Sequence, residues 1–242
     1  IGNVIGSNIS NTCLILGITG VLSPLVIPSC RLRNEIIYYC VCLGLLGLFF
    51  FLPAATITWF GGILLLISFF VGMVLFFLPK PDDTTVVSSA ESNSLIVSVS
   101  IFIAGCVCLP LGGHFLVTSA INLASQFGLS KAFIALFAVA LGTSLPELAT
   151  SVVAAKKGNT QLALGNILGS NIFNITLVLG ISSLISPINI ASIYKQDLIL
   201  LGVMTLPLAY ILLTTKKTHL YWGFCILMLL SYSSYCGFIY LR

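Results

Sequence analysis

Charge is what this sequence has least of. Only 7% of its 242 residues are charged, against 58% hydrophobic, where a soluble domain carries about 25% charged residues. A water-soluble fold with so few charges could not cover its own surface, so the solvent for most of the chain is lipid. The ten Lys and Arg residues are scattered between apolar runs and build no basic patch, which excludes nucleic acid as a partner. The apolar runs contain no Gly-x-Ser-x-Gly, no His-Glu-x-x-His and no paired aspartates, so intramembrane hydrolysis lacks its chemistry. Cysteines 40/42 and 106/108 form Cys-x-Cys pairs, but no His or further pair stands at zinc-ligand spacing. The eight cysteines therefore read as buried small hydrophobes rather than metal ligands. Neither histidine stands out: His219 falls in a loop, and His114 follows Gly112-Gly113 in an apolar run and reads as a buried neutral imidazole.

What the chain has in abundance is long apolar runs. A bilayer core needs roughly 20 apolar residues per helix. Eight stretches qualify, over residues 1–22, 35–52, 55–78, 95–125, 130–155, 161–186, 196–214 and 219–240. Turn residues punctuate them: Ser23-Pro24, Leu52-Pro53, Gly128, Lys157-Gly158-Asn159 and Pro187-Ile188-Asn189. The expected fold is an all-α integral membrane protein with eight spans. The longest polar segment, 79–94, is expected to be a cytoplasmic linker. Eight spans put alternate loops on opposite sides. One side then holds Arg31, Arg33, Lys80, Lys156, Lys157, Lys216 and Lys217, and the other Lys131, Lys195 and Arg242. The positive-inside rule assigns the richer side to the cytoplasm and the C-terminus to the outside. The lipid bilayer is the one partner required; no cofactor and no obligatory protein partner is implied.

Two segments repeat. Residues 2–25, GNVIGSNISNTCLILGITGVLSPL, align without a gap to 165–188, GNILGSNIFNITLVLGISSLISPI, with 13 of 24 positions identical. Low complexity explains Leu and Ile matches. It does not explain Gly2/Gly165, Asn3/Asn166, Gly6/Gly169, Ser7/Ser170, Asn8/Asn171 and Asn11/Asn174 in register. The copies fall in the first and sixth spans, an odd number apart, so they cross the membrane in opposite senses. Secondary transporters are commonly built from such inverted repeats, with the substrate site near the midplane where the repeats meet. Residues 1–78 are then the remainder of a first repeat and 95–242 a complete second one. Two spans precede the second copy, so the repeat implies about 70 further residues and two helices before Ile1, for ten spans in all.

Of the six acidic residues, Glu147 is expected to lie deep in a span, with the other five in or beside loops. An ionisable group at the bilayer centre costs roughly 2.5–3.5 kcal/mol on insertion scales, and its default reading is functional. Its segment is Ala140-Leu141-Gly142-Thr143-Ser144-Leu145-Pro146-Glu147. Pro146 lacks an amide hydrogen and clashes with the carbonyl four residues back, so a kink should free carbonyls near Ala140 and Gly142. Thr143 and Ser144 share a helix face with Glu147. One carboxylate, two hydroxyls and loose carbonyls are hard oxygen donors, suited to calcium, magnesium or sodium. In the next span Ser170 and Asn174 share a face, and Gly165 and Gly169 form a GxxxG that should bring that face to Glu147. Ser7, Asn11, Gly2 and Gly6 echo the arrangement. Asn8 and Asn171 could serve either as cross-helix hydrogen bonds or as ligands.

GTSLPELATSVVAAKKG (142–158) followed by GNILGSNIFN (165–174) resembles the second alpha-repeat of the cation/calcium exchanger superfamily, and GNVIGSNISN (2–11) resembles the latter part of the first. The resemblance is to the prokaryote-type sodium/calcium exchangers, which lack a large cytosolic regulatory domain. It implies a ten-helix fold, a bacterial-type inner or plasma membrane, and antiport of Na+ for Ca2+ by alternating access. It also implies that Glu147 ligates both ions, that Thr143, Ser144 and the Ala140 carbonyl ligate sodium, that Ser170 and Ser7 complete flanking sodium sites, and that Asn174 and Asn11 border the central site. Proton-coupled calcium antiport is the alternative, although proton-coupled members usually carry a GNxxE-type motif in place of GTSxPE. A third reading is an inactive fragment: the GTSxPE half of the first repeat, with its second carboxylate, is not in this sequence, so residues 1–242 alone are expected not to transport. Potassium-dependent members carry an acidic residue at the position of Asn174, so potassium co-transport is not expected.

Overall fold

In lipid a spanning segment must satisfy its own backbone polar groups, and a single stretch of chain does so only as a helix. The structure is a computed structural model, and it describes residues 1–28, 31–52, 55–77, 95–126, 131–214 and 217–241. Among them are eight long helices: α1 (Gly2–Leu22), α2 (Arg31–Phe51), α3 (Trp59–Phe77), α4 (Leu95–Gln126), α5 (Lys131–Lys156), α6 (Thr160–Ile185), α7 (Ile193–Thr214) and α8 (Trp222–Leu241). They correspond one to one with the expected spans. By length and composition, six of them (α1, α2, α3, α6, α7 and α8) can cross a membrane. The expected linker, 79–94, lies outside the described residues.

Polarity is arranged inside out relative to a soluble fold. Asn8, Asn11, Thr12, Asn171 and Thr176 are buried at the centre, while Leu48, Phe70, Phe102, Leu206 and Leu230 face outward. Between them lies a shell of buried Ile5, Ile9, Leu16, Tyr39, Leu46, Ile167, Ile175, Leu201 and Leu208. Cys13, Cys42 and Cys225 are buried as expected, but Cys106 and Cys108 are exposed on α4, as is His114. α2 starts at Arg31 and α7 at Ile193, both earlier than hydropathy indicated. Glu35 is therefore half-buried inside α2, and Asp197 buried inside α7, rather than beside loops. Long side chains such as Arg33 and Lys195 can reach headgroups from within a helix, so a charge does not mark where the helix ends. Arg33-Asn34-Glu35-Ile36 and Lys195-Gln196-Asp197-Leu198 also carry the repeat, by residue type, into the second helix of each copy.

Two short ladders tie the copies together. β1 (Val26–Pro28) pairs antiparallel with β4 (Lys217–His219), and β2 (Thr56–Ile57) with β3 (Ile188–Asn189). Leu220 N–H to Leu25 O and Ile190 N–H to Ala55 O, both 2.8 Å, extend them. β1 and β3 follow the first helix of their copies, and β2 and β4 follow the second. Parallel copies would bring β1 to the side of β3. The crossed pairing, β1 with β4 and β2 with β3, is what copies running in opposite senses produce.

Glycines set two matching close approaches. A Cβ on Gly17 would lie 2.9 Å from the Cys225 carbonyl on α8. A Cβ on its repeat mate Gly180 would lie 2.9 Å from Leu66 Cγ on α3, and one on Gly62 would lie 2.9 Å from the Gly180 carbonyl. The third helix of each copy thus packs on the first helix of the other.

Candidate functional site

Side chains four apart share one face of a helix. α1 carries Asn3, Ser7 and Asn11 at that spacing, and α6 carries Asn166, Ser170 and Asn174. Where the two helices meet, Asn11 Nδ2 donates to Asn171 Oδ1 at 3.0 Å, and Asn174 Nδ2 to Asn8 Oδ1 at 3.1 Å. These bonds are images of one another under the repeat. Asn8 Nδ2 also donates to the Asn171 carbonyl at 3.3 Å, and Asn171 Nδ2 to Thr12 Oγ1 at 3.0 Å. The repeat mate of Thr12 is Ile175, so this last bond has no image. Asn8 and Asn171 thus engage both ends of their amides in the crossing, the cross-helix bonding that was one of the two roles open to them.

Both helices widen at the crossing into π turns, over Ser10–Ile15 in α1 and Asn174–Val178 in α6. Such turns recur at functional sites because they re-aim the side chains that follow. α5 is helical from Lys131 to Lys156 with Pro146 inside it, and Thr150 Oγ1 donates to the Pro146 carbonyl at 2.8 Å.

α5 packs against the π turn of α1 and along α6. A clasp joins α5 to α6: Asn166 Nδ2 donates to the Glu147 carbonyl at 3.1 Å and to Ser151 Oγ at 3.0 Å, and Ser151 Oγ donates to the Ala163 carbonyl at 3.3 Å. This clasp does the job expected of the GxxxG motif. Gly165 instead faces α2, where its Cβ would stand 3.5 Å from a Glu35 carboxylate oxygen, and a Cβ on Gly169 would meet nothing within 4 Å among the described residues. A cavity of about 460 Å³ lies along this face, lined by Glu35, Gln161, Gly165, Asn166 and Gly169.

Several buried side-chain oxygens have no hydrogen-bond partner among the described residues, and Glu147 Oε2, Ser144 Oγ and Asn11 Oδ1 are those that belong to the expected ligand set. Asn11 donates one of its two amide hydrogens to Asn171, and its oxygen is left bare as an acceptor. Ser7 and Ser144 are buried, and Ser170 and Asn174 half-buried. Ala140 and Thr143 lie on α5 before Glu147, and their side chains fall outside the described residues. Among the described residues no group of three His, Cys, Asp or Glu side chains comes together. The donors are thus one carboxylate with neutral oxygens, a hard set that suits alkali and alkaline-earth cations. Asn166 and Ser151 were not singled out on sequence, although each stands four residues from one that was, Ser170 and Glu147.

A helical membrane protein whose oppositely running repeats cross at a polar centre has the inverted-repeat architecture common among membrane transporters. The chain belongs to the sodium/calcium exchanger protein family, which it matches over residues 1–78 and 97–241. It is 34% identical to the inner membrane protein YrbG of Escherichia coli K12 over 216 residues, 81% of this chain and 63% of YrbG. It is 36% identical to the sodium/calcium exchanger MaX1 of Methanosarcina acetivorans over 111 residues, 45% of this chain and 32% of MaX1. Its structure resembles that of the sodium-calcium exchanger NCX_Mj soaked with 10 mM Na+ and zero Ca2+, with a TM-score of 0.78 and 28% identity, covering 98% of this chain and 76% of that one. The chain spans 60% to 66% of the length of three curated relatives that it matches.

Proposed function

We propose that this protein exchanges Na+ for Ca2+ across a membrane by alternating access. The observation that carries the reading is the set of unpartnered buried oxygens of Glu147, Ser144 and Asn11 beside the crossing of α1 and α6. Glu147 binds Ca2+ and Na+ in turn. Ser144, Thr143 and the Ala140 carbonyl take sodium, Ser7 and Ser170 complete flanking sodium sites, and Asn11 and Asn174 border the centre. The names of MaX1 and NCX_Mj, both sodium/calcium exchangers, support the choice of ions.

Exchange rather than leak follows from the buried carboxylate. A bare carboxylate occluded away from water is costly, so the empty site resists crossing, while the Na+-loaded and Ca2+-loaded sites pass. One carboxylate leaves Ca2+ only half neutralised. The reading therefore calls for a second acidic group at the site. The protein sits in a bacterial-type inner membrane with its C-terminus outside.

Calcium-45 uptake into proteoliposomes holding the full-length protein tests this, with an outward sodium gradient imposed and Glu147→Gln run beside it. Uptake should require internal sodium and vanish in Glu147→Gln. Uptake that ignores sodium and follows a pH gradient would establish proton coupling instead.

A further inference from the structure

We propose that Asn166, which the ligand set does not include, is a positioning residue: it holds Glu147 in register with Ser170. The inference rests on the exchange reading of the site. Asn166 and Ser170 stand one turn apart on the same face of α6. Asn166 Nδ2 has two hydrogens, and both cross to α5, one to the carbonyl of Glu147 itself at 3.1 Å and one to Ser151 Oγ at 3.0 Å. Ser151 is fully buried and passes its own hydrogen back to the Ala163 carbonyl at 3.3 Å.

The contact falls where α5 most needs an outside reference. Pro146 precedes Glu147 and cannot donate a backbone hydrogen bond, so the turn that carries the carboxylate has one internal tie fewer than its neighbours. A single amide on α6 grips the Glu147 backbone directly, and the same face of α6 presents Ser170 one turn further on. Carboxylate and hydroxyl are thereby set relative to each other by one side chain. A ligand set made mostly of neutral oxygens depends on such placement, because no single donor except Glu147 attracts a cation strongly. Removing outer partners that orient metal ligands costs about 10- to 100-fold in affinity.

The two acceptors of Asn166 allow positioning to be separated from packing. Asn166→Ala frees the Glu147 carbonyl, whereas Ser151→Ala keeps that bond and deletes the rest of the clasp. In the full-length protein in proteoliposomes, Asn166→Ala should raise the calcium concentration for half-maximal sodium-driven uptake about tenfold, within the range for orienting partners of metal ligands. Ser151→Ala should leave it near wild type, although both variants lower the thermal midpoint. Asn166→Gln, which keeps the amide but lengthens its reach and preserves more packing, should fall between wild type and Asn166→Ala. It serves as the readout where Asn166→Ala does not fold. Unchanged half-saturation in a folded Asn166→Ala, or in Asn166→Gln where the alanine variant does not fold, overturns the inference, as does an equal shift in Ser151→Ala. Absence of calcium flux in the wild type instead removes the exchange reading and this inference with it.

Discussion

Asn171 is fully buried, and its side chain accepts from Asn11 and donates to Thr12. Asn174 makes one such bond, to Asn8. Hydrogen bonds between membrane helices average about 0.6 kcal/mol, with a maximum near 1.7, because the unfolded chain in lipid also finds partners. Asn171→Ala, which strands two buried groups, should therefore cost about 1–2 kcal/mol and Asn174→Ala about half as much. Thermal unfolding of the detergent-purified protein should rank Asn171→Ala below Asn174→Ala, and both below wild type. At this scale the sequence already pointed to Glu147, because an acid deep in an apolar run has few uses other than function. It left Asn8 open between a cross-helix bond and a ligand role. Asn8 and Asn11 stand about 60° apart around one helix, and only the position of α6 decides whose oxygen accepts across the crossing and whose stays bare.

Between elements, close approach is set by residues without side chains. Gly62 and Gly180 bring α3 against α6. An added Cβ on Gly62 would press on Ser183 Oγ and stand 2.9 Å from the Gly180 carbonyl, which cannot move aside, whereas one on Gly180 would press chiefly on Leu66 Cγ, which can, and stand 3.3 Å from the Gly62 carbonyl. Gly62→Ala should accordingly destabilise more than Gly180→Ala, within the roughly 1–3 kcal/mol typical of overpacking. Gly44→Ala, where a Cβ meets nothing within 4 Å among the described residues, should be neutral or gain up to about 1 kcal/mol from helix propensity. Thermal midpoints of the three variants check the order. The helices themselves were legible as apolar runs. Their first turns at Arg31 and Ile193 were not, because hydropathy averages over a window and charged side chains can reach headgroups from inside a helix. The partner of the Gly165–Gly169 face was also misjudged: a GxxxG says that a helix can come close, not which one.

For the whole molecule, the crossed ladders pair the loops that alternating spans assign to the same side. β1 and β4 lie on one side with Lys156 and Lys157, and β2 and β3 on the other. With Cys106 and Cys108 replaced by serine, Lys157→Cys should react with an impermeant maleimide only from the cytoplasmic face, and Asn189→Cys only from the outer face. Labelling of both from one face would contradict the inverted arrangement, and a reversed pattern would overturn the orientation alone.

From its residues alone this chain declared a membrane solvent, eight apolar runs, an internal repeat and a carboxylate worth burying. All of these follow from local properties: composition, run length, the in-register match of two segments, and the cost of a charge in lipid. Tertiary structure decided the rest. It showed which asparagines lock the crossing and which oxygen stays bare, that Asn166 rather than the glycines grips the turn of Glu147, and that Glu35 and Asp197 lie within helices. Those outcomes depend on how far each helix is rotated against its neighbours, and no single segment encodes that angle.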